Sequence, residues 1–477
     1  MRNRIPYLIL ILVLAVATLG AMEWMDAPQA APSPQPVVSP VPVAMGGAGP
    51  VSVTGRLVAD KIPPHGTQAV DLCITLTAEP EKGILQDPPP GVDLVVVLDV
   101  SGSMSGDKIT DAKAAVLALV RGLTDRDRFA LVAYSDRAWV QSPMNLATPL
   151  GRERMEMDLA DLNAGGSTNL SEGLETGMGL LTGNGRVRNL GKLVLVSDGQ
   201  ANRGVTDTGA LCVLAEKALS GEFAVSSVGV GLDFNETLMA SLADHGGGTY
   251  RFLSDPEGFY AAFAQELNRT RSVAATGLSV HVPLPAGVRV ADAGGYPVTV
   301  SGNEAVFHPG DILHGQTRTL YVTLEVSDQA ANPVAIPGVR LGFRAGDQAH
   351  EAVLDQSFTI ARADTEAGAW ASLDRESWEK KVSVDSFGLL RQEVATSVAG
   401  GNYQEARDKI QEYRRDADEK NAVVQSPAVT RHLEEEVSSL EAQVGEMADA
   451  PAKEQSTVRK AEAKRLQYEG YKDRRSY

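Results

Sequence analysis

Between residues 90 and 271 the apolar positions fall into short unbroken runs, separated by longer stretches in which they recur every three or four residues. The runs "DLVVVLDV", "RFALVAYS", "KLVLVSDG" and "FAVSSVGVG" are too continuously apolar for strands with one wet face. They predict strands buried on both sides. "RAWVQSP" and "GTYRFLS" are read as two further strands. Intervening segments such as "DKITDAKAAVLALVRGL" place Ile109, Ala112, Val116, Leu119 and Val120 at helical spacing. Strands alternating with helices predict an α/β fold, a doubly wound and mostly parallel sheet covered on both faces. The short gap between the second and third strands predicts one antiparallel edge hairpin.

The pattern differs on either side. Residues 51–80 alternate in strand fashion, and beyond residue 275 strands and turn residues follow one another at short intervals, as in "RTLYVTLEVSD" and "HEAVLDQSFTIAR". Two strands alone make a poor core. The expectation is therefore one β-sandwich assembled from residues 51–89 and 272–363, with the α/β domain of residues 90–271 inserted between them. Residues 364–477 turn helical and charged, with sparse apolar positions, and predict a small helical appendage or a coiled partner-binding arm. The basic residues at its end, among them Lys464, Arg465, Lys472, Arg474 and Arg475, are read as a solvated helix face.

Charge and composition narrow the function. A net charge of −17 sets nucleic acid aside as a partner, because phosphate recognition needs clustered Lys and Arg. Cys73 and Cys212 lie in different predicted domains and outside any CxxC or Cys/His cluster, so both are read as small buried residues. At the amino terminus, basic "MRNR" precedes the uncharged "IPYLILILVLAVATLGAM". Residues 1–25 are read as an export segment, either a cleaved signal peptide or a retained membrane anchor. The Pro/Ala-rich residues 26–50 are read as a linker. Both versions predict an exported chain, membrane-anchored or secreted/periplasmic.

The candidate chemistry sits at strand ends. In an open α/β sheet, ligands bind beyond the carboxyl ends of the strands, where strand order reverses. Asp99 ends the first strand of this sheet and Asp198 ends the fourth in the same manner, so parallel strands bring both acids to one edge. Between them "LNAGGSTNLSEGLE" supplies a Gly-rich loop with hydroxyls at Ser167 and Thr168. Asp99, Ser101, Ser103, Thr168 and Asp198 together offer oxygen and neither nitrogen nor sulfur. Such a set suits a hard divalent cation, Mg²⁺ first, with Mn²⁺ or Ca²⁺ as the other fits, and not zinc or copper. With only two formal charges serving it, the ion stays electrophilic and leaves a position open to an outside carboxylate.

"DVSGSM" (99–104), the threonine of "GGSTNL" (165–170) and "SDG" (197–199) resemble the metal-ion-dependent adhesion site of von Willebrand factor type A domains, over about residues 90–271. The resemblance implies direct or water-mediated metal contacts from Ser101, Ser103 and Thr168, with Asp99 and Asp198 contacting the ion or holding its waters. More loosely, the flanks are similar to bacterial exported proteins resembling the inter-alpha-trypsin inhibitor heavy chain and calcium-activated chloride channel-like group. The implied function is extracytoplasmic metal-dependent protein binding, with a protein ligand supplying an Asp or Glu to the metal. The alternative is a structural or assembly factor of the cell envelope whose metal site mainly stabilises the domain. By analogy with regulated adhesion domains, the helix expected over residues 255–270 is the element that would shift on binding.

Rival readings are weaker. Asp and Ser also favour helix caps and turns, but three such loops at one sheet edge exceed what capping needs. "DLNAGGSTNLSE" approaches a calcium-binding EF-hand loop, yet Gly165 and Thr168 stand at positions that call for an oxygen ligand and an apolar residue. No GxSxG elbow, phosphate-binding Walker loop or HExxH is present, and Ser101 stands where an aspartyl phosphotransferase needs a second acid. The chain is therefore expected not to be an enzyme.

Overall fold

Alternation of apolar and polar residues ahead of residue 80 builds the first strands of a sheet. The computed structural model describes residues 43–81, 91–183, 189–198, 201–232, 234–253, 269–449 and 455–475. The export segment of residues 1–25 lies outside them. Among the described residues no helix is long and apolar enough to cross a membrane. Strands β1 (Ala44–Ala48), β2 (Val51–Leu57), β3 (Lys61–Ile62) and β4 (Gln68–Ala78) come first. Ala44–Ala48 was expected to belong to the linker and is instead an edge strand, paired antiparallel with β2 from Ala44 opposite Gly55 to Ala48 opposite Val51. Its backbone groups find partners there, which outweighs the strand-poor Gly and Ala composition.

The α/β domain follows with β5 (Val92–Asp99), α1 (Asp107–Gly122), β6 (Arg128–Tyr134), β7 (Ala138–Leu146), α2 (Pro149–Ala160), α3 (Leu170–Gly183), β8 (Leu190–Ser197), α4 (Thr208–Ser220), β9 (Phe223–Val230), α5 (Glu236–His245) and β10 (Gly247–Leu253). The strand order is β10-β9-β8-β5-β6-β7. Each pairing is parallel except the β6–β7 hairpin at the edge. Every residue of β5 is buried. Leu94, Val96 and Leu98 pack with Val116, Leu119 and Met155 of α1 and α2, whereas Val95 and Val97 pack with Leu174, Met178 and Leu242 of α3 and α5. That alternation is the strand period of two, with a helix layer on each face. From β5 the chain moves to β6 on one side and later to β8 on the other, so the carboxyl end of β5 is the switch point of the sheet. The helix expected over residues 255–270 lies almost wholly outside the described residues.

Next come β11 (Val273–Pro283), β12 (Val288–Asp292), β13 (Val298–Ser301), β14 (Glu304–Leu313), β15 (Thr317–Val326), β16 (Val334–Ile336), β17 (Arg340–Ala345), β18 (Gln348–Val353) and β19 (Phe358–Arg362). One sheet runs β1-β2-β4-β15-β12, a second β13-β14-β11-β17-β18, and a smaller one β16-β19-β3. Leu72, Ile74 and Leu76, from before the α/β domain, share a core with Leu278, Phe307, Leu320, Val322 and Leu341, from after it. The sandwich thus encloses the α/β domain in sequence.

Helices α6 (Glu366–Trp370), α7 (Arg375–Lys380), α8 (Phe387–Ala399), α9 (Tyr403–Val424), α10 (Pro427–His432), α11 (Ser438–Asp449) and α12 (Gln455–Arg475) complete the chain. Their apolar faces form a core with Val58, Cys73 and Tyr321, which point away from the sandwich interior. Cys73 and Cys212 are free and buried. The basic end of the chain departs from the expected solvated face: Lys464, Arg474 and Arg475 are buried. Each meets an acid on another element: Lys464 pairs with Glu236, Arg474 with Asp292 and Arg475 with Asp244. Long cations become interior residues when such partners meet them.

Candidate metal centre

The carboxyl end of β5 delivers Asp99 to the switch point, fully buried. Its Oδ1 accepts the Ser101 amide at 2.8 Å and its Oδ2 accepts the Ser197 hydroxyl at 2.7 Å, with the Tyr134 hydroxyl at 3.4 Å. Burial pushes the Asp99 carboxyl above its ordinary value; hydrogen bonds from Ser101 and Ser197 oppose the rise, and the negative charge of Asp198 adds to it. Burial also holds the Tyr134 phenol well above its usual range, so it acts as a neutral donor.

After Asp99 the chain makes a 3₁₀ turn over Gly102–Met104, and the buried Met104 anchors it in the core beside α1. The turn brings the Ser101 and Ser103 hydroxyls to 3.0 Å from each other. Ser101 is buried and Ser103 exposed, so the pair spans from the interior to solvent.

Backbone bonds bring in the second loop. Gly102 donates to the Gly166 carbonyl at 3.0 Å, and Gly165 donates to the Val100 carbonyl at 2.8 Å. Gly166 has φ +83°, a backbone conformation that calls for glycine, and it lies close against the Asp136 carboxylate. Thr168, buried, donates its amide to Asn202 Oδ1 at 2.8 Å, and its carbonyl accepts the Asn202 and Arg203 amides at 3.1 and 3.2 Å. The loop after β8 is thereby tied to the Thr168 loop. Asp136 accepts the Ser167 amide and the exposed Arg203 guanidinium at the rim.

Asp198, directly after β8, is buried, and its Oδ2 pairs with Lys108 Nζ of α1 at 3.2 Å. Its Oδ1 is buried and has no hydrogen-bond partner among the described residues. A buried, unpaired carboxylate oxygen carries a desolvation cost that a bound ion would remove. The buried acids at the other end of the same strands have no such gap. Asp93 is held by Arg128 at 2.7 Å and Asn189 at 2.7 Å, and Asp127 by the Val92 amide at 2.8 Å and Arg271 at 2.6 Å.

The oxygen donors Ser101, Ser103 and Thr168, with Asp99 and Asp198, thus come from three loops joined at one end of the sheet. Their all-oxygen chemistry and the unpaired Asp198 oxygen fit a hard divalent cation. Among the described residues no group of three or more His, Cys, Asp or Glu side chains is placed to hold a metal ion, so hydroxyls are essential to this candidate. Sequence reasoning missed Lys108, Tyr134, Ser197 and Asn202. Ser197, immediately before Asp198, and Lys108, at the start of a helix, had local signals; the others depend on strand register and loop contacts.

Residues 93–265 match the family model for the von Willebrand factor type A domain. The chain is 30% identical over 168 residues to the uncharacterized protein YfbK of Escherichia coli, covering 34% of this chain and 28% of that protein. It is 26% identical over 178 residues to inter alpha-trypsin inhibitor heavy chain 4 of Mus musculus, covering 36% of this chain and 19% of that one. The match therefore spans less than a third of either relative. A solved von Willebrand factor type A structure from Catenulispora acidiphila aligns with a TM-score of 0.64 at 16% identity, covering 88% of this chain and 96% of its own. The ArnB paralog VWA2 from Sulfolobus acidocaldarius aligns with a TM-score of 0.54, also at 16% identity, over 88% and 97% of the two chains. These likenesses extend well beyond the α/β domain and concern the fold.

Proposed function

Since residues 93–265 form a von Willebrand factor type A domain, we propose that this chain is a non-enzymatic, extracytoplasmic protein-binding module whose docking point is a divalent cation held by Ser101, Ser103, Thr168, Asp99 and Asp198. Mg²⁺ is the first choice, with Mn²⁺ and Ca²⁺ as the other ions that favour oxygen ligands. The observation that carries this reading is Asp198 Oδ1, buried without a partner among the described residues, at the end of the strand next to the one that leads into Asp99 and the paired serine hydroxyls. When bound, the cation supplies an electrophilic point to which a partner's Asp or Glu coordinates.

The chain's own residues do the rest. Ser197 and Tyr134 fix the Asp99 carboxylate, Met104 anchors the serine turn, and Asn202 holds the Thr168 loop. The partner then meets a preformed shell, which limits the ordering cost of binding. The exposed Ser103 marks the solvent side from which a ligand would approach. Export rests on the basic-then-apolar order of residues 1–22.

The test is affinity capture by the full chain from envelope extract, in Mg²⁺ and again in EDTA, with Thr168→Ala as the control. The expected outcome is a defined protein retained by wild type in Mg²⁺ and lost in both other arms. Equal retention in EDTA overturns the mechanism. A metal-dependent rise in melting temperature with no change in retention points instead to an ion that mainly stabilises the domain.

A further inference from the structure

We propose that Lys108 is a built-in competitor of the metal: its ammonium pairs with Asp198 Oδ2, and its charge opposes a divalent cation held by the same carboxylate. This rests on the metal reading above and adds a control on loading.

Three observations carry it. Lys108 Nζ lies 3.2 Å from Asp198 Oδ2, on one of the two acids proposed to serve the ion. Asp198 is buried, with its side chain 3% exposed, whereas the Lys108 side chain is 27% exposed. The acid is fixed in the protein while the cation keeps an open path to solvent. Finally, the lysine arm lies against bare backbone at Gly231, where φ is +79° and an added Cβ would stand 3.0 Å from Lys108 Cε. The loop after β9 is shaped to let the arm lie along it.

Electrostatics gives the consequence. Asp99 and Asp198 leave the neighbouring parallel strands β5 and β8 at one edge of the sheet, so the two acids gain from a counter-charge. Lys108 supplies one positive charge, held on a flexible stem it can swing away. An ammonium on Asp198 Oδ2 and a dication held through Oδ1 of the same carboxylate repel each other, so the paired lysine lowers the affinity of the site for the ion. A charge-assisted hydrogen bond to a buried acid is strong enough to weaken metal binding about tenfold. The lysine thereby raises the free cation concentration at which the module becomes competent, and below it offsets one of the two acid charges.

The test is calorimetric titration of the full chain with MgCl₂ and with MnCl₂, comparing wild type, Lys108→Met and Lys108→Arg. Lys108→Met removes the charge and keeps the length, and is expected to bind metal about tenfold more tightly. Lys108→Arg keeps the charge and is expected to stay within about threefold of wild type. A second readout needs no metal: in EDTA, Lys108→Met melts lower than wild type, and the difference disappears when Asp198→Asn is present in both. Metal binding by Lys108→Met that equals or is weaker than wild type overturns the competitor role while the metal reading stands. Binding by neither protein overturns both.

Discussion

Asp99 shows how a single buried carboxylate is made useful. Its oxygens take the Ser101 amide and the hydroxyls of Ser197 and Tyr134. The acid is therefore oriented before any ligand arrives, and Ser197 supplies the shorter of the two hydroxyl bonds. Ser197→Ala leaves Asp99 buried with one donor fewer, and we expect it to cost about 1–3 kcal/mol in the metal-free protein. Urea denaturation in EDTA measures this; no loss of stability would mean that Tyr134 and Ser101 suffice. The five oxygen-bearing residues at this edge were legible because each ends an apolar run or sits in a hydroxyl-bearing loop. Tyr134 and Ser197 were not legible as their partners. Their role depends on register, with Asp99 opposite Tyr134 and Leu98 opposite Val196, which no single segment carries.

Among the elements, α12 departs furthest from its sequence pattern. Periodicity and charge made a helix there plain, but its basic residues looked like a solvated surface. Their burial depends on acids far away in sequence: Glu236 and Asp244 at the two ends of α5, and Asp292 of β12. Arg475 also lies between the rings of Tyr296 and Tyr471, at 4.2 and 4.8 Å from their centroids. Arg475→Met is expected to destabilise the chain by about 3–5 kcal/mol, because it leaves Asp244 buried without its cation. In a double-mutant cycle Asp244→Asn should remove much of that penalty, and additive losses would show that the pair is not coupled. The helical region carries a pH response as well. His432 of α10 lies 2.9 Å from the Tyr413 hydroxyl and edge-on to Phe387, and burial pushes its imidazole down to about 4. The unfolded chain, with an ordinary imidazole, takes up this proton near pH 6.5 and the folded chain only near 4. The stabilisation is complete above about pH 6.5 and is lost as pH falls through that window, by about 2–3 kcal/mol at pH 4.5. Denaturant titrations from pH 7 to 4.5 check this, and His432→Gln should flatten the slope.

At the scale of the whole molecule, a helix that touches every part of the fold can decide what unfolds together. Doubly wound order and flanking strands could be read from apolar runs, since each lies in one segment. The union of the helical region with the α/β domain could not, because its contacts are made by charged and aromatic residues whose pattern resembles an exposed face. Lys464 donates to the Phe234 carbonyl at 2.8 Å just before α5, and Arg475 binds Asp244 near its end. These contacts tie α12 to both ends of α5. On its other side α12 crosses α8 at bare backbone, where a Cβ on Gly470 would stand 2.3 Å from the Gly388 carbonyl oxygen. A methyl there must push the helices apart, and α12 must then carry α5 with it or release it. If α12 holds α5 to the rest of the chain, Gly470→Ala should lower the hydrogen-exchange protection of α12 and α5 by the same amount. The central strands β5 and β8, buried between their own helix layers, should keep theirs. Weakening confined to α12 would show that α5 stands on its own packing and that the helical region only rests against the α/β domain.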